Sequence, residues 1–405
     1  MAEPVTQNWV GRRIEIEVGP VAHGGHCVAR SGGRVVFVRH ALPGEQVVVE
    51  VTEDNGGSFC RADAVRIITP SPDRVDAPCT VARPGGCGGC DWQHAAPAAQ
   101  RTLKATVVAE QLQRLAGIEW DVVVEELPGG PLGWRTRERL AVSPEDGRAG
   151  LRAHRSHRVV PLADCPIAVP GLLSGVLDRQ WPAGVEVEAV QDDDGGQHVA
   201  RRDPVPGTRR WRTHWVTGGT AVQHAAGRTW RLRADGFWQV HPAAADTFAG
   251  VVARWADTPV GGRAWDLYGG VGLFAAVLAA QVGETGSVWH VESARSAAAD
   301  AEANLADLPQ VTCVADRVER AVITGGGGDP DVVVLDPPRK GAGRVVVDAI
   351  ARRDPVRVVY VACDPAALAR DLATFAGHGY RLADLRAFDA FPMTHHVECV
   401  ALLTR

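Results

Sequence analysis

Apolar and polar residues alternate in short runs through residues 9–69: Arg13–Val18, Arg34–Val38, Gln46–Val51 and Arg61–Ile67. A period of two turns one face of each run inward, which predicts strands. Gly24-Gly25, Gly32-Gly33 and Pro43-Gly44 punctuate them. Four or five strands in so short a segment fit a small closed barrel of the oligonucleotide-binding type. Thr69-Pro70-Ser71-Pro72 reads as a linker. Beyond it, Leu103, Val107, Val108, Leu112 and Leu115 recur near helical spacing and predict a helix over Ala96–Leu115. Strands are expected at Arg137–Val142, Ala149–Ala153, Arg158–Pro161, Val185–Val190 and Val199–Arg202, with an exposed turn at Asp192–Gly196.

From residue 236 the pattern changes. Apolar runs at Arg263–Leu267, Ser287–Val291, Val311–Val314, Val332–Leu335 and Val358–Val361 alternate with helical stretches such as Leu273–Gln281 and Ser293–Ala306, many of them alanine-rich. That alternation predicts a doubly wound α/β unit with a mostly parallel sheet. No helical pattern separates Tyr380–Phe388 from His396–Leu403, so a hairpin with an antiparallel last strand is expected. The chain thus reads as multidomain α/β: a small β-barrel over 1–70, a central α+β domain over 71–235, and a Rossmann-like domain over 236–405.

Composition adds limits. A length of 405 residues exceeds what one core usually serves. There is no run of 18 apolar residues and no apolar leader in the first twenty, so the expectation is a cytoplasmic protein without a membrane segment. The net charge of −5 argues against nucleic acid, but its distribution does not. Residues 201–233 hold eight arginines against the single acid Asp203, and Lys104 and Lys340 are the only lysines. Guanidinium suits phosphate forks and base stacking, although a solvated arginine-biased surface accounts for the pattern equally well. Nine unevenly spaced cysteines are no disulfide framework. Cys79, Cys87 and Cys90 cluster among Gly85, Gly86, Gly88 and Gly89, with Cys165 as a candidate fourth ligand. Four thiolates suit zinc or an iron–sulfur cluster, and spacing does not decide between them.

Four further segments point to chemistry. Asp266-Leu267-Tyr268-Gly269-Gly270-Val271-Gly272-Leu273-Phe274-Ala275 follows a strand and opens a helix, as a nucleotide-binding glycine loop must. Glu292 ends the next strand, where a carboxylate meets ribose hydroxyls. Asp266 before the loop favours S-adenosylmethionine, a cationic amino-acid ligand, over a dinucleotide. Asp336-Pro337-Pro338-Arg339-Lys340-Gly341 lies where ligands of such sheets bind. Cys363 ends another strand and precedes a helix whose N-terminus favours a thiolate. Glu398 interrupts an apolar strand, where a charge needs a partner or a task. An antiparallel last strand brings Asp336, Cys363 and Glu398 to one rim.

These motifs, with Phe237-Trp238-Gln239-Val240 and the Thr394-to-Leu402 segment, resemble those of the RNA uracil-5 methyltransferase family in the expected order. The resemblance covers nearly the whole chain. The N-terminal segment resembles the TRAM domain of the 23S ribosomal-RNA branch, and Cys79, Cys87, Cys90 and Cys165 resemble that branch's [4Fe-4S] ligands. It implies cofactor contacts from Gln239, Tyr268, Glu292, Asp316 and Asp336. Gly270 stands where relatives often have cysteine, and Leu273 where several have a polar residue. The expected reaction is methyl transfer from S-adenosylmethionine to uridine C5. Cys363 would attack C6 and Glu398 would remove the C5 proton. The implied partner is RNA, 23S rRNA ahead of tRNA, and the protein is expected to be a monomer. The competing readings are a NAD(P)-dependent iron–sulfur oxidoreductase and a non-catalytic RNA-binding protein.

Overall fold

The structure, a computed structural model, describes residues 8–405. Strands β1 (Arg13–Glu17), β2 (Cys27–Ser31), β3 (Arg34–Arg39), β4 (Gln46–Asp54) and β5 (Phe59–Thr69) form one sheet in the order β1-β4-β5-β3-β2. Alternation works as expected: Val47, Val49 and Val51 of β4 are buried with Val36 and Val38 of β3. Strand β2, absent from the hydropathy pattern, pairs with β3 across Gly32 and Gly33, both at positive φ as a two-residue hairpin requires.

Next come α1 (Pro97–Ala116) and β6 (Val124–Glu126), then an antiparallel six-stranded sheet. It comprises β7 (Arg137–Val142), β8 (Ala149–Arg152), β9 (Val159–Pro161), β10 (Glu186–Gln191), β11 (Gln197–Pro204) and β12 (Trp211–Thr217), ordered β12-β11-β10-β7-β8-β9. The turn between β10 and β11 is exposed at 193–195, but Asp192 is buried, accepting from the Gly196 and Val222 amides and pairing with His198. A hairpin of β13 (Thr220–Ala225) and β14 (Arg228–Arg233) follows.

The C-terminal part alternates α2 (Ala244–Ala256), β15 (Arg263–Leu267), α3 (Leu273–Val282), β16 (Ser287–Glu292), α4 (Arg295–Asn304), β17 (Val311–Ala315), α5 (Val318–Thr324), β18 (Val332–Leu335), α6 (Arg344–Arg352), β19 (Arg357–Ala362) and α7 (Pro365–Ala376). The hairpin β20 (Arg381–Asp389) and β21 (Glu398–Thr404) ends it. The sheet order is β17-β16-β15-β18-β19-β21-β20-β6, parallel from β17 to β19, with β21 antiparallel to both neighbours. One face packs on α5, α6, α7 and α1; the other packs on α2, α3 and α4. The strand order reverses between β15 and β18, the switch point where α/β sheets bind ligands. Among the described residues no helix is long and apolar enough to cross a membrane.

Helix α1 and strand β6 belong to this C-terminal body. Val108, Leu112 and Val124 sit in its core, and β6 pairs parallel with β20. The buried stripe of α1 is also less apolar than its spacing implied, since Gln100, Lys104 and Gln111 lie within it. Lys104 is fully buried against Asp389, and its ammonium also donates to the Phe391 carbonyl. A buried cation of this kind requires such a partner.

Candidate active site

A cleft of about 1620 Å³ opens at the carboxyl ends of β15, β16, β18 and β19. Gln239, Tyr268, Glu292, Asp336, Cys363 and Glu398 all line it, so six of the seven residues expected in the catalytic and cofactor sites share one wall. Asp316 does not. Its carboxylate is engaged by Arg320 and the Arg317 amide, and Arg317 and Arg320 face the cleft instead. Helix α5 begins at Val318, capped by Arg317, so its residues rather than Asp316 supply the wall.

Register places the two reactive groups together. Ala362 pairs with Cys399 across β19 and β21, so one step further Cys363 lies opposite Glu398. Cys399 turns the other way into the core, as strand alternation requires. Burial pushes the Glu398 carboxyl well above the usual range, Asp336 adds to the rise, and Arg339 opposes it. Burial likewise pushes the Cys363 thiol up to about 12, helped by Glu398 and Asp336 and opposed by Arg339. The expected pull of α7 toward a thiolate is opposed chiefly by burial; Asp364 also caps that helix, accepting from the Ala367 amide at 2.8 Å. The N-terminal partial charge is met by a fixed carboxylate.

The glycine loop is held from below. Asp266 is fully buried and accepts from the Ala275 amide and His290, both at 3.0 Å. It anchors the loop and does not face the cleft, which corrects its expected place beside a ligand. A Cβ on Gly269 would fall 2.3 Å from the His290 ring, so only glycine fits there. Glu292 accepts from the Gly270 amide at 3.1 Å and the Ala294 amide at 2.6 Å. Tyr268 holds φ +59, unusual for a tyrosine, and its buried hydroxyl has no hydrogen-bond partner among the described residues. Burial, with Asp266 and Glu292 nearby, raises the Asp336 carboxyl to about 7. An orphaned hydroxyl beside uncompensated acids is the chemistry that receives a cationic, hydrogen-bonding ligand.

Cys79, Cys87, Cys90 and Cys165 line a separate cavity of about 60 Å³ with Arg135, Glu138 and Asp164. Gln93 donates to the Cys90 sulfur at 3.2 Å and the Gly89 amide to that of Cys87 at 3.3 Å. Burial holds the Cys165 thiol up at about 11 and raises Cys87 and Cys90 too. Among the described residues no three His, Cys, Asp or Glu side chains stand close enough to share a single metal ion.

Two residues that the sequence motifs contain without a catalytic role assigned to them also reach the cleft. Arg339 and His396 both line the cleft, 3.4 Å apart. His395 is tied to Asp91 through ring (2.6 Å) and amide (3.1 Å), and so is structural here. Asp91 directly follows Cys90, so the cysteine segment abuts the start of β21.

Comparison with known proteins agrees with this geometry. A family model described as tRNA (Uracil-5-)-methyltransferase matches residues 329–405, and a TRAM domain model matches residues 7–65. An uncharacterized RNA methyltransferase of Streptomyces coelicolor is 49% identical over 100% of this chain and 95% of its own. One from Corynebacterium efficiens is 41% identical over 100% and 97%. Among solved structures, the Pyrococcus abyssi tRNA (uracil-54, C5)-methyltransferase in complex with S-adenosyl-L-homocysteine is similar with a TM-score of 0.73 at 20% identity. That similarity covers 96% of this chain and 100% of that one. The oxidoreductase reading gives way, and the chain belongs to the S-adenosylmethionine-dependent RNA uracil-5 methyltransferase family.

Proposed function

We propose that the protein methylates C5 of a uridine in 23S rRNA, with Cys363 as covalent nucleophile and Glu398 as the base for the C5 proton. The observation that carries this is the pairing of β19 with β21, which sets the two side chains opposite each other at the rim of the cleft. Bound S-adenosylmethionine supplies the electrophilic methyl group and a positive charge; Gln239, Tyr268, Glu292 and Asp336 are the residues that would hold it.

Uracil C5 is a poor nucleophile until the ring is opened to addition. The Cys363 thiol gives up its proton to solvent, its sulfur adds at C6, and the C5–C6 π electrons move into the ring as an enolate, which makes C5 nucleophilic. Once the methyl is on C5, the Glu398 carboxylate takes the C5 proton. The electron pair re-forms C5–C6, and the C6–sulfur bond breaks to return the thiolate. Arg339 acts on both groups in the needed direction, lowering the proton affinity of thiol and carboxyl alike. The target base must leave its stack for Cys363 to reach it.

Cys363→Ala is expected to abolish methylation, and Glu398→Gln to accumulate a protein–RNA adduct stable on a denaturing gel. Full activity of Cys363→Ala would overturn the mechanism. The preference for rRNA rests on the TRAM match together with the four-cysteine set; the match to the tRNA (Uracil-5-)-methyltransferase model favours tRNA as a second reading. Methyl transfer to separated ribosomal and transfer RNA, followed by mapping of 5-methyluridine, decides between them. We also infer that the four cysteines hold an iron–sulfur cluster, because all four line one small cavity. Iron and acid-labile sulfide in the purified protein would bear this out; zinc alone would refute it.

A further inference from the structure

A second cavity of about 190 Å³ shares Cys363, Arg339 and His396 with the cleft. Its remaining wall comes partly from the turn between β1 and β2, through His23, Gly24 and Gly25. That turn is pressed against the chemistry. A Cβ on Gly25 would lie 2.7 Å from the His395 Cβ, and the Trp92 indole donates to the Gly25 carbonyl at 3.0 Å. His23 reaches further still, placing Nε2 3.1 Å from Asp364, the residue after the proposed nucleophile. Its side chain remains 41% exposed, so this contact leaves it open to a ligand. Arg339 stands between the two cavities and makes no carboxylate pair among the described residues.

The Arg339 guanidinium and the His23 imidazole therefore flank a cavity that touches the proposed nucleophile and that Asp364 also lines. Any uridine presented to Cys363 carries a phosphodiester one sugar away, and unpaired guanidinium with imidazolium is the chemistry that binds it. Asp364 favours the charged imidazole, since its hydrogen bond raises the His23 pKa. We propose that His23, with Arg339, holds the phosphodiester adjoining the target uridine in this second cavity, so that the N-terminal sheet completes the active site. The proposal rests on the uridine-methylating function above.

The test uses the full-length protein and an RNA that the wild type methylates. His23→Ala is expected to raise the KM for RNA roughly tenfold while the Kd for S-adenosylmethionine is unchanged. The slope of log KM against log salt should fall by about 0.7–0.9, the signature of one lost phosphate contact. His23→Lys should restore the slope, because it restores a cation, and it guards against a variant that merely folds poorly. An unchanged KM, or a raised KM with an unchanged slope, overturns the proposal by making His23 at most a packing residue. If the wild type methylates no uridine, the functional reading itself has failed; activity with an indifferent His23 sinks only this inference.

Discussion

Cys363 is poised but protonated. Its thiol is pushed up to about 12 because burial and the carboxyls of Glu398, Asp336 and Asp364 outweigh Arg339. In the proposed mechanism, formation of the thiolate therefore falls to the charge that a bound complex brings. Alkylation of Cys363 by iodoacetamide, followed by peptide mass spectrometry, should be slow at pH 7.5 and climb about tenfold per pH unit without a plateau below pH 10. A plateau near pH 8 would mean a ready thiolate and would refute this. Asp336 makes a different prediction. Its folded pKa of about 7 lies above the unfolded value, so the native state binds the extra proton. Stability is then lost as pH rises from about 4 to about 7, and the full penalty persists above that range. Asp336→Asn removes the penalty and should raise Tm by about 2–4 °C at pH 8, with little gain at pH 4.5, while cofactor binding weakens. Equal shifts at both pH values would show that the carboxyl is ionised throughout.

The element that makes the site is the C-terminal hairpin, and its connection is held by parts distant in sequence. Gln100 of α1 donates to the carbonyls of Trp92 (3.1 Å) and Ala95 (2.9 Å) and accepts from the Met393 amide at 2.8 Å. Met393 holds φ +69 between β20 and β21, so the segment needs this tether to deliver Glu398. Gln100→Ala takes the partner from the Ala95 carbonyl and the Met393 amide, while Trp92 keeps the Ala95 amide, and is expected to cost about 2–4 kcal/mol in urea unfolding and to lower kcat before KM. Unchanged stability would show that the tether is incidental. Much of this architecture was legible beforehand: Arg263–Leu267 and Val332–Leu335 are strands over those very residues, because buried parallel strands are continuous apolar runs ended by glycine or proline. The antiparallel last strand and the placing of Cys363 near Glu398 followed from the missing helix. Strands β12 and β14 were illegible because arginine, tryptophan and threonine mix on half-exposed faces. Three-residue β6 was too short to show a period. Asp266 misled because sequence order does not tell whether an acid beneath a loop points to ligand or to helix amides. Asp364 escaped notice for a similar reason: cap geometry decides how a helix end acts on the residue before it.

At the scale of the whole molecule, a chain of net charge −5 must bind a polyanion through local asymmetry. The arginine-rich stretch supplies one place for it. Strand β12 is an outer strand of the six-stranded sheet, with Trp211, Arg212, His214 and Val216 exposed along it. Its Thr213 hydroxyl lies 3.3 Å from Asp235, which lines the cleft, so this edge runs up to the mouth of the site. Arg209, Arg210 and Arg212 form no ion pair among the described residues, unlike Arg201 and Arg202 behind them. An exposed indole among free guanidinium groups is how single-stranded RNA is held without reading its sequence. The N-terminal sheet approaches Cys363 through His23, so RNA crossing the mouth would run between these two surfaces. Replacing Arg209, Arg210 and Arg212 with glutamate should raise the RNA KM by tenfold or more at about 0.15 M salt and flatten its salt dependence, each lost phosphate contact contributing about 0.7–0.9 to the slope. Cofactor affinity and Tm should stay put, because these side chains support no core. Should KM and slope both remain at wild-type values, RNA enters by another face and the arginines are only a solvated surface.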